Sequence, residues 1–370
     1  MKVATLFPIF SDSHLCELGN KVEHILLCDE HYIPRLPDGY KGRVVALSLA
    51  FSQINRFLQK LRVQKAMPMF FWNLGFELEK NRPDVIVVTD FFHWYFWQCA
   101  AYVRSHKEVK LILYSETKQW PRSLLSRLLM HVFVTMLRNT KTVAGVFTFS
   151  EAGRNFFSEN VPAIPSMVMP NPVDTNVFRS VQHKDWLPGG TLRVLMNARF
   201  VPYKRHTDLL DATKILVEQG KKVELTFIGR EDGGMHSFRE TIRKYDLEKI
   251  VHIMPPQPLH EMPELYSRHD VLVLPSYNEA IGLVVPESMA CGIPTVTSDT
   301  VAANIYVKDG ETGIVFKTGD AYSLASALSG LFDQKVLEEM GQKARLRVSD
   351  FSVPIIVEKF IKAIDAFSLR

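Results

Sequence analysis

The sequence predicts an α/β protein of two doubly wound, Rossmann-like domains facing a cleft, and three observations carry that expectation. Short β-branched runs alternate with longer helical patterns along the whole chain. The runs are continuously apolar instead of alternating, as parallel strands covered on both faces must be. A length of 370 residues exceeds one small core and suits two domains of ordinary size.

Taken in order, residues 2–7, 85–89, 110–114 and 145–149 read as strands of the first half. Residues 192–197, 224–229, 250–254, 271–274 and 295–297 do so in the second. Helical patterns over 209–219, 323–332 and 337–348 separate the later strands. Between the halves lies a segment with Pro162, Pro165, Pro170, Pro172, Pro188 and the pair Gly189-Gly190, and little periodicity. The expected domains are therefore 1–170 and 171–353, followed by a helix over 354–370 that crosses back to pack on the first domain.

Apolar residues make up 46% and charged residues 23%, which argues against a disordered or membrane-spanning chain. A formal charge of +4 is too small to make nucleic acid the default partner. That charge is uneven. Residues 1–170 hold 20 Lys/Arg against 14 Asp/Glu, and the remainder holds 24 against 26. Cys16, Cys28, Cys99 and Cys291 show neither a C-x-x-C pair nor zinc-ligand spacing, which suits thiols in a reducing cytosol. The first ten residues lack the pattern of a secretory leader, so a cytoplasmic protein is expected, with possible peripheral attachment to the inner face of the membrane.

The most informative stretch runs from Pro275 to Glu287, directly after the buried strand at 271–274. Open α/β sheets bind ligands at this edge of a strand. Gly282 permits a tight turn, Pro286 suits the first turn of a helix, and Gly292 suits its end. Backbone N–H groups near Gly282–Val284 would then face an anion. Glu279 falls in the loop and Glu287 in the helix, where one carboxylate can face a cleft and the other can take two hydrogen bonds from a ribose diol. A second loop, after the strand at 192–197, carries Arg199 and Lys204, and such a pair of cations matches a diphosphate. Taken alone, these two are as well explained as solvated surface charges.

With these residues in place, the chain resembles glycosyltransferase family 4, retaining transferases of the GT-B fold that use nucleotide-activated sugars. The resemblance rests on Glu279-x7-Glu287 and its surroundings from Pro275 to Val296, on Ser298-Asp299, on Arg199-x4-Lys204, on Asn171…Asp174…Phe178, and on Asp309-Gly310…Gly313. It covers residues 171–316; the first 160 residues are similar only in layout. It implies that Arg199 and Lys204 neutralise a nucleoside diphosphate leaving group and that Glu287 holds the ribose hydroxyls. Glu279 would lie beside the transferred sugar, the Ala280–Val284 backbone, including Gly282 and Leu283, would contact sugar and phosphate, and Met254 would lie near the base. The resemblance also implies no metal and no cofactor beyond the nucleotide-sugar donor, because protein cations carry the charge.

Departures from that family concern the acceptor side. The first loop, residues 7–14, has no paired glycines, and Val301-Ala302 stands where a Gly-Gly is usual. Glu116 is the best match for a histidine common after the fourth strand, and His93 is the alternative. Glu116 is equally explained as the cap of a helix starting near Pro121, and His93 as a packed core histidine. Neither a G-x-S-x-G elbow nor a G-x-G-x-x-G after the first strand is present, which argues against a serine hydrolase and a nicotinamide enzyme.

One further pattern lies in the first half. No acid occurs between Glu116 and Glu151, while Lys118, Arg122, Arg127, Arg138 and Lys141 are basic around an apolar stretch from 124 to 137. With the aromatics of 91–97, this suits docking on anionic lipid to reach a lipid-linked acceptor, or else a buried helix in an aromatic core. The expected function is retaining sugar transfer from a nucleoside diphosphate sugar to a glycan or lipid-linked glycan, as in bacterial surface polysaccharide synthesis. A non-catalytic nucleotide- or glycan-binding protein and a nucleotide-sugar epimerase on the same fold are the alternatives.

Overall fold

The apolar runs become strands of two parallel sheets. In the computed structural model the described residues are 1–6, 12–29, 40–48, 70–121, 123–179 and 185–367. The chain divides into two units, one comprising Met1–Pro172 with Val353–Arg370 and the other Val173–Ser352.

The strands of the first unit are β1 (Lys2–Leu6), β2 (Glu23–Asp29), β3 (Arg43–Leu47), β4 (Val85–Thr89), β5 (Lys110–Ser115), β6 (Val143–Thr148) and β7 (Ser166–Val168). They pair in the order β3-β2-β1-β4-β5-β6-β7. All pairs are parallel, and the sheet is covered by helices among the described residues. The crossing helices include α1 (Asp12–Lys21), α2 (Leu74–Asn81), α3 (Trp94–Ser105), α4 (Leu124–Asn139) and α5 (Glu151–Asn160). Much of the aromatic excess is core: Phe91, Phe96, Tyr95, Tyr114, Phe147 and Phe157 are fully buried.

Helix α4 corrects two expectations. Ser123 caps it, its hydroxyl accepting from Ser126 N at 3.2 Å, so Glu116 is not the cap. Nor is α4 a buried helix: Met130, Val134 and Leu137 enter the core while most of its other apolar residues face outward.

The second unit holds β8 (Thr191–Asn197), β9 (Lys222–Ile228), β10 (Val251–Met254), β11 (Val271–Leu274), β12 (Thr295–Ser298) and β13 (Gly313–Phe316). Their order is β10-β9-β8-β11-β12-β13, again all parallel. Its helices are α6 (His206–Glu218), α7 (Met235–Lys244), α8 (Met262–Ser267), α9 (Val284–Ala290), α10 (Ala321–Ser329) and α11 (Gln334–Ser349). The order reverses between β8 and β11, and such a switch point opens a crevice at the C-terminal ends of the two strands.

The last helix, α12 (Val353–Ala366), belongs to the first unit although it follows the second in sequence. Phe360 and Phe367 pack on Phe147 at 5.3 Å, and Phe360 meets His14 edge-on at 6.4 Å. Gly145 makes room for this: a Cβ there would come within 2.5 Å of the Phe367 ring. Lys110 Nζ donates to the Ile364 carbonyl at 2.9 Å and closes the end of the helix.

Candidate active site

The β8 and β11 loops bring their charged residues to the switch point of the second sheet. After β8 the chain passes through Ala198, Arg199 and Phe200, turns at Pro202–Lys204, and enters α6. Phe200 is buried against His206 (4.5 Å, stacked) and Phe238 (5.2 Å), which fixes the loop from below. After β11, Tyr277 N donates to the Tyr203 carbonyl at 2.8 Å, so the two loops are tied by a backbone hydrogen bond. Lys204 Nζ forms an ion pair with Glu279 Oε2, and both side chains are largely withdrawn from solvent. Lys204 and Glu279, 75 residues apart in sequence, thus share one place.

The Glu279 backbone is held from the other side. Ala302 N donates to its carbonyl at 3.0 Å, and Ser298 Oγ donates to the Ser276 carbonyl at 2.6 Å. Val301-Ala302 therefore supports the loop. Gly282 has φ +72, and a Cβ there would lie 2.9 Å from Ala303 Cβ and 3.1 Å from Glu279 Cγ, so glycine is needed for conformation and for space. Ala280 and Val284 are half-buried and Leu283 is exposed, directly before and at the start of α9. Pro286 stands in the first turn, and Gly292 (φ +81) follows the end of the helix.

Glu287 lies on α9, where Tyr266 Oη donates to Oε2 at 2.9 Å. Burial pushes the Glu287 carboxyl from 4.5 up to about 7, and the Tyr266 hydrogen bond draws it partly back. Burial, together with the neighbouring carboxylate, holds the Tyr266 hydroxyl well above its ordinary range, so Tyr266 remains a donor. Phe178 packs on Tyr266 at 6.3 Å, and Phe178 N donates to the Asp174 carbonyl at 2.8 Å. The segment Asp174…Phe178 thereby reaches the Glu287 site.

Arg199 is half exposed, donating to Asp232 Oδ2 at 3.0 Å and to Tyr203 Oη at 2.8 Å. Asp232 and its loop, Gly229–Gly234 after β9, escaped the sequence reading. Their signal was the spacing of Gly229, Gly233 and Gly234 directly after an apolar strand. A Cβ at Gly229 would fall 2.0 Å from the Ala198 oxygen, and one at Gly234 would fall 2.7 Å from the Phe200 oxygen. Phe200 N donates to the Arg230 carbonyl at 2.9 Å. The glycines thus let the β9 loop lie against the β8 loop and present Asp232 to Arg199. Met254 is half-buried at the end of β10, where its carbonyl accepts from Gly229 N at 3.4 Å.

Asp299, after β12, accepts from Thr318 N at 3.1 Å. In the turn before β13, Asp309 Oδ1 accepts from Val315 N at 2.8 Å, and Gly310 takes φ +72. These residues brace the edge of the sheet rather than line the β8–β11 crevice.

In the first unit, the acceptor-side candidates His93 and Glu116 follow the ends of β4 and β5, where Asp90 joins them. Asp90 (φ +47) ends β4 and accepts from Ser115 Oγ at 3.1 Å. His93 precedes α3 half-buried, with its ring stacked on Tyr95 at 5.1 Å, and Glu116 is exposed directly after β5. Residues 7–11 of the first loop lie outside the described residues.

Residues 179–347 match the family described as Glycosyl transferases group 1. A D-inositol 3-phosphate glycosyltransferase of Corynebacterium aurimucosum is 30% identical over 172 residues, 45% of this chain and 41% of that protein. One from Thermomonospora curvata is 31% identical over 156 residues, 40% of this chain and 36% of that protein. The chain thus spans less than half the length of these curated relatives. Among solved structures, Anabaena HepE in complex with UDP has a TM-score of 0.76 at 17% identity, covering 99% of this chain and 100% of that one. The lipopolysaccharide outer core galactosyltransferase WaaB has a TM-score of 0.71 at 14% identity, covering 99% of both chains.

The fold is GT-B.

In GT-B terms, the family match lies wholly within the second unit, which holds Arg199, Lys204, Glu279 and Glu287. No helix among the described residues is long and apolar enough to cross a membrane.

Proposed function

We propose that the chain is a glycosyltransferase of family 4 that moves a sugar, with retained configuration, from a nucleoside diphosphate sugar to a glycan or lipid-linked glycan. The observation that carries this reading is the convergence of Arg199, Lys204, Glu279 and Glu287 on one strand switch point. Two cations beside a glycine-bounded loop suit a diphosphate, whose leaving charge they would neutralise in place of a metal. Glu287, held by Tyr266, suits the ribose diol, and Met254 stands at the strand end where a base would rest. Glu279 would turn from Lys204 to the sugar as phosphate takes over the lysine, placing a carboxylate near the positive charge that develops at the anomeric carbon. The bond from that carbon to diphosphate breaks as the acceptor oxygen bonds on the same face, and the acceptor proton passes to the departing phosphate. Asp90, His93 and Glu116 are proposed to serve the acceptor. The working place would be the cytoplasm, at the inner membrane surface when the acceptor is lipid-linked, in polysaccharide or lipopolysaccharide synthesis.

The test is nucleoside diphosphate release by the purified chain over a panel of donors and acceptors, after a thermal-shift screen. A donor at 100 times its Kd stabilises by about 2.7 kcal/mol, enough to identify the base. Loss of turnover in Lys204→Ala and Glu279→Ala, with unchanged circular dichroism, supports transfer. Unchanged turnover in both refutes the site. A product formed from donor alone identifies an epimerase, and tight nucleotide binding with no product identifies a binding protein.

A further inference from the structure

We propose that the outward face of α4 is a bilayer-docking surface that lies flat on anionic lipid. Leu124, Leu125, Leu128, Leu129, Val132 and Met136 are between 40% and 74% exposed, although all are apolar. At 3.6 residues per turn they fall within an arc of about 140°, and Met130, Val134 and Leu137 occupy the opposite arc in the core. The helix therefore has two apolar faces, and folding of the unit satisfies only one.

Charge identifies the occupant of the other. Arg127, His131 and Arg138 follow one another along one border of the outward arc, and no acid occurs between Glu116 and Glu151. An aliphatic stripe bordered by cations complements acyl chains beneath phosphate headgroups. Protein interfaces concentrate aromatic residues at their centres, and this stripe has none. At the same border the His131 ring lies 6.0 Å from that of Trp120, which is half-buried against Phe156. With 16 residues, α4 is about 24 Å long, too short to cross a bilayer but suited to lying in its surface.

The inference goes beyond sugar transfer and stands without it, because binding is read on the full chain with no donor present. The measurement is co-sedimentation with vesicles of equal parts phosphatidylcholine and phosphatidylglycerol, and with phosphatidylcholine alone, at low and high salt. The chain should sediment with the anionic vesicles, and salt should weaken the binding. The triple variant Leu124→Ser, Leu128→Ser, Val132→Ser should bind at least about tenfold less, since three large side chains no longer leave water. Arg127→Glu should weaken binding to anionic vesicles while leaving that to phosphatidylcholine alone unchanged. All four positions are exposed, and melting curves matching the wild type establish that the variants fold. Three outcomes would overturn the proposal. They are no binding at low salt, equal binding by the triple variant, and a dimer in light scattering that the triple variant abolishes.

Discussion

Replacing Glu287 by glutamine should stabilise the protein above neutral pH while weakening the ribose contact proposed for its carboxylate. Burial raises this carboxyl from 4.5 to about 7. A raised acid holds its proton more tightly folded than unfolded, so stability falls as pH rises from about 4.5 to about 7 and stays reduced above. The span corresponds to about 3 kcal/mol, a net figure in which the hydrogen bond from Tyr266 is already included. Glu287→Gln keeps an oxygen to accept that bond but has no charge to desolvate. The two proteins should match near pH 4.5, and at pH 8 the variant should be more stable by up to about 3 kcal/mol. For a unit of this size that is a rise in Tm of about 6 to 12 °C. Urea denaturation of both proteins across this range is the assay. Parallel pH profiles, with one constant offset, would refute the account, because they would mean that Glu287 ionises folded as it does unfolded. The same variant should lose thermal stabilisation by nucleotide, since an amide cannot accept both ribose hydroxyls as a carboxylate does.

Other expectations concern the surrounding loops. Lys204→Ala removes the cation paired with the largely buried Glu279 carboxylate and should cost about 3 kcal/mol, most of it regained in Lys204→Met with Glu279→Gln; equal stability of single and double variants would refute the pairing energetics. Gly229→Ala drives a methyl into the Ala198 carbonyl and should cost about 1–3 kcal/mol, with loss of nucleotide affinity as Asp232 leaves Arg199. His206 is held neutral by burial, its ring brought down to about 4, so stability should fall as pH drops from 6.5 toward 4. His206→Gln should flatten that acid limb in denaturation midpoints, and an unchanged limb would assign it to other groups.

The strands that bear the site were legible because each is buried on both faces and announces itself as a continuous apolar run, as β8 and β11 do. The edge strand β10 was legible too, but β2, β3, β7 and β13 were not. Glu23–Asp29 begins and ends in acids, Ser166–Val168 is three residues beside Pro165, and Gly313–Phe316 opens on glycine. Only pairing with a neighbour makes them strands, and pairing is not a local property. At the site, Glu279 and Glu287 were readable from their spacing within one loop and helix. The partners were not: Asp232 reaches Arg199 across 33 residues, and Tyr266 reaches Glu287 across 21. Exposure of α4 was equally hidden, since an apolar helix reads the same whether both its faces are buried or one.

The placement of α12 sets an order on how the protein comes into being. The second unit is one uninterrupted stretch, but the first is divided around it. During synthesis all seven strands of the first sheet emerge before the helix that carries Phe360 and Phe367 exists. Until then the surface of Phe147 and the groove at Gly145 stand open to water, and they stay so while the ribosome adds the whole nucleotide-binding candidate unit. The first unit is started first and finished last. A nascent chain paused anywhere between residues 173 and 352 therefore displays an uncovered aromatic patch, which makes it a natural client for a chaperone. For the same reason, residues 1–172 expressed alone should aggregate, and joining residues 353–367 to them through a linker should restore solubility.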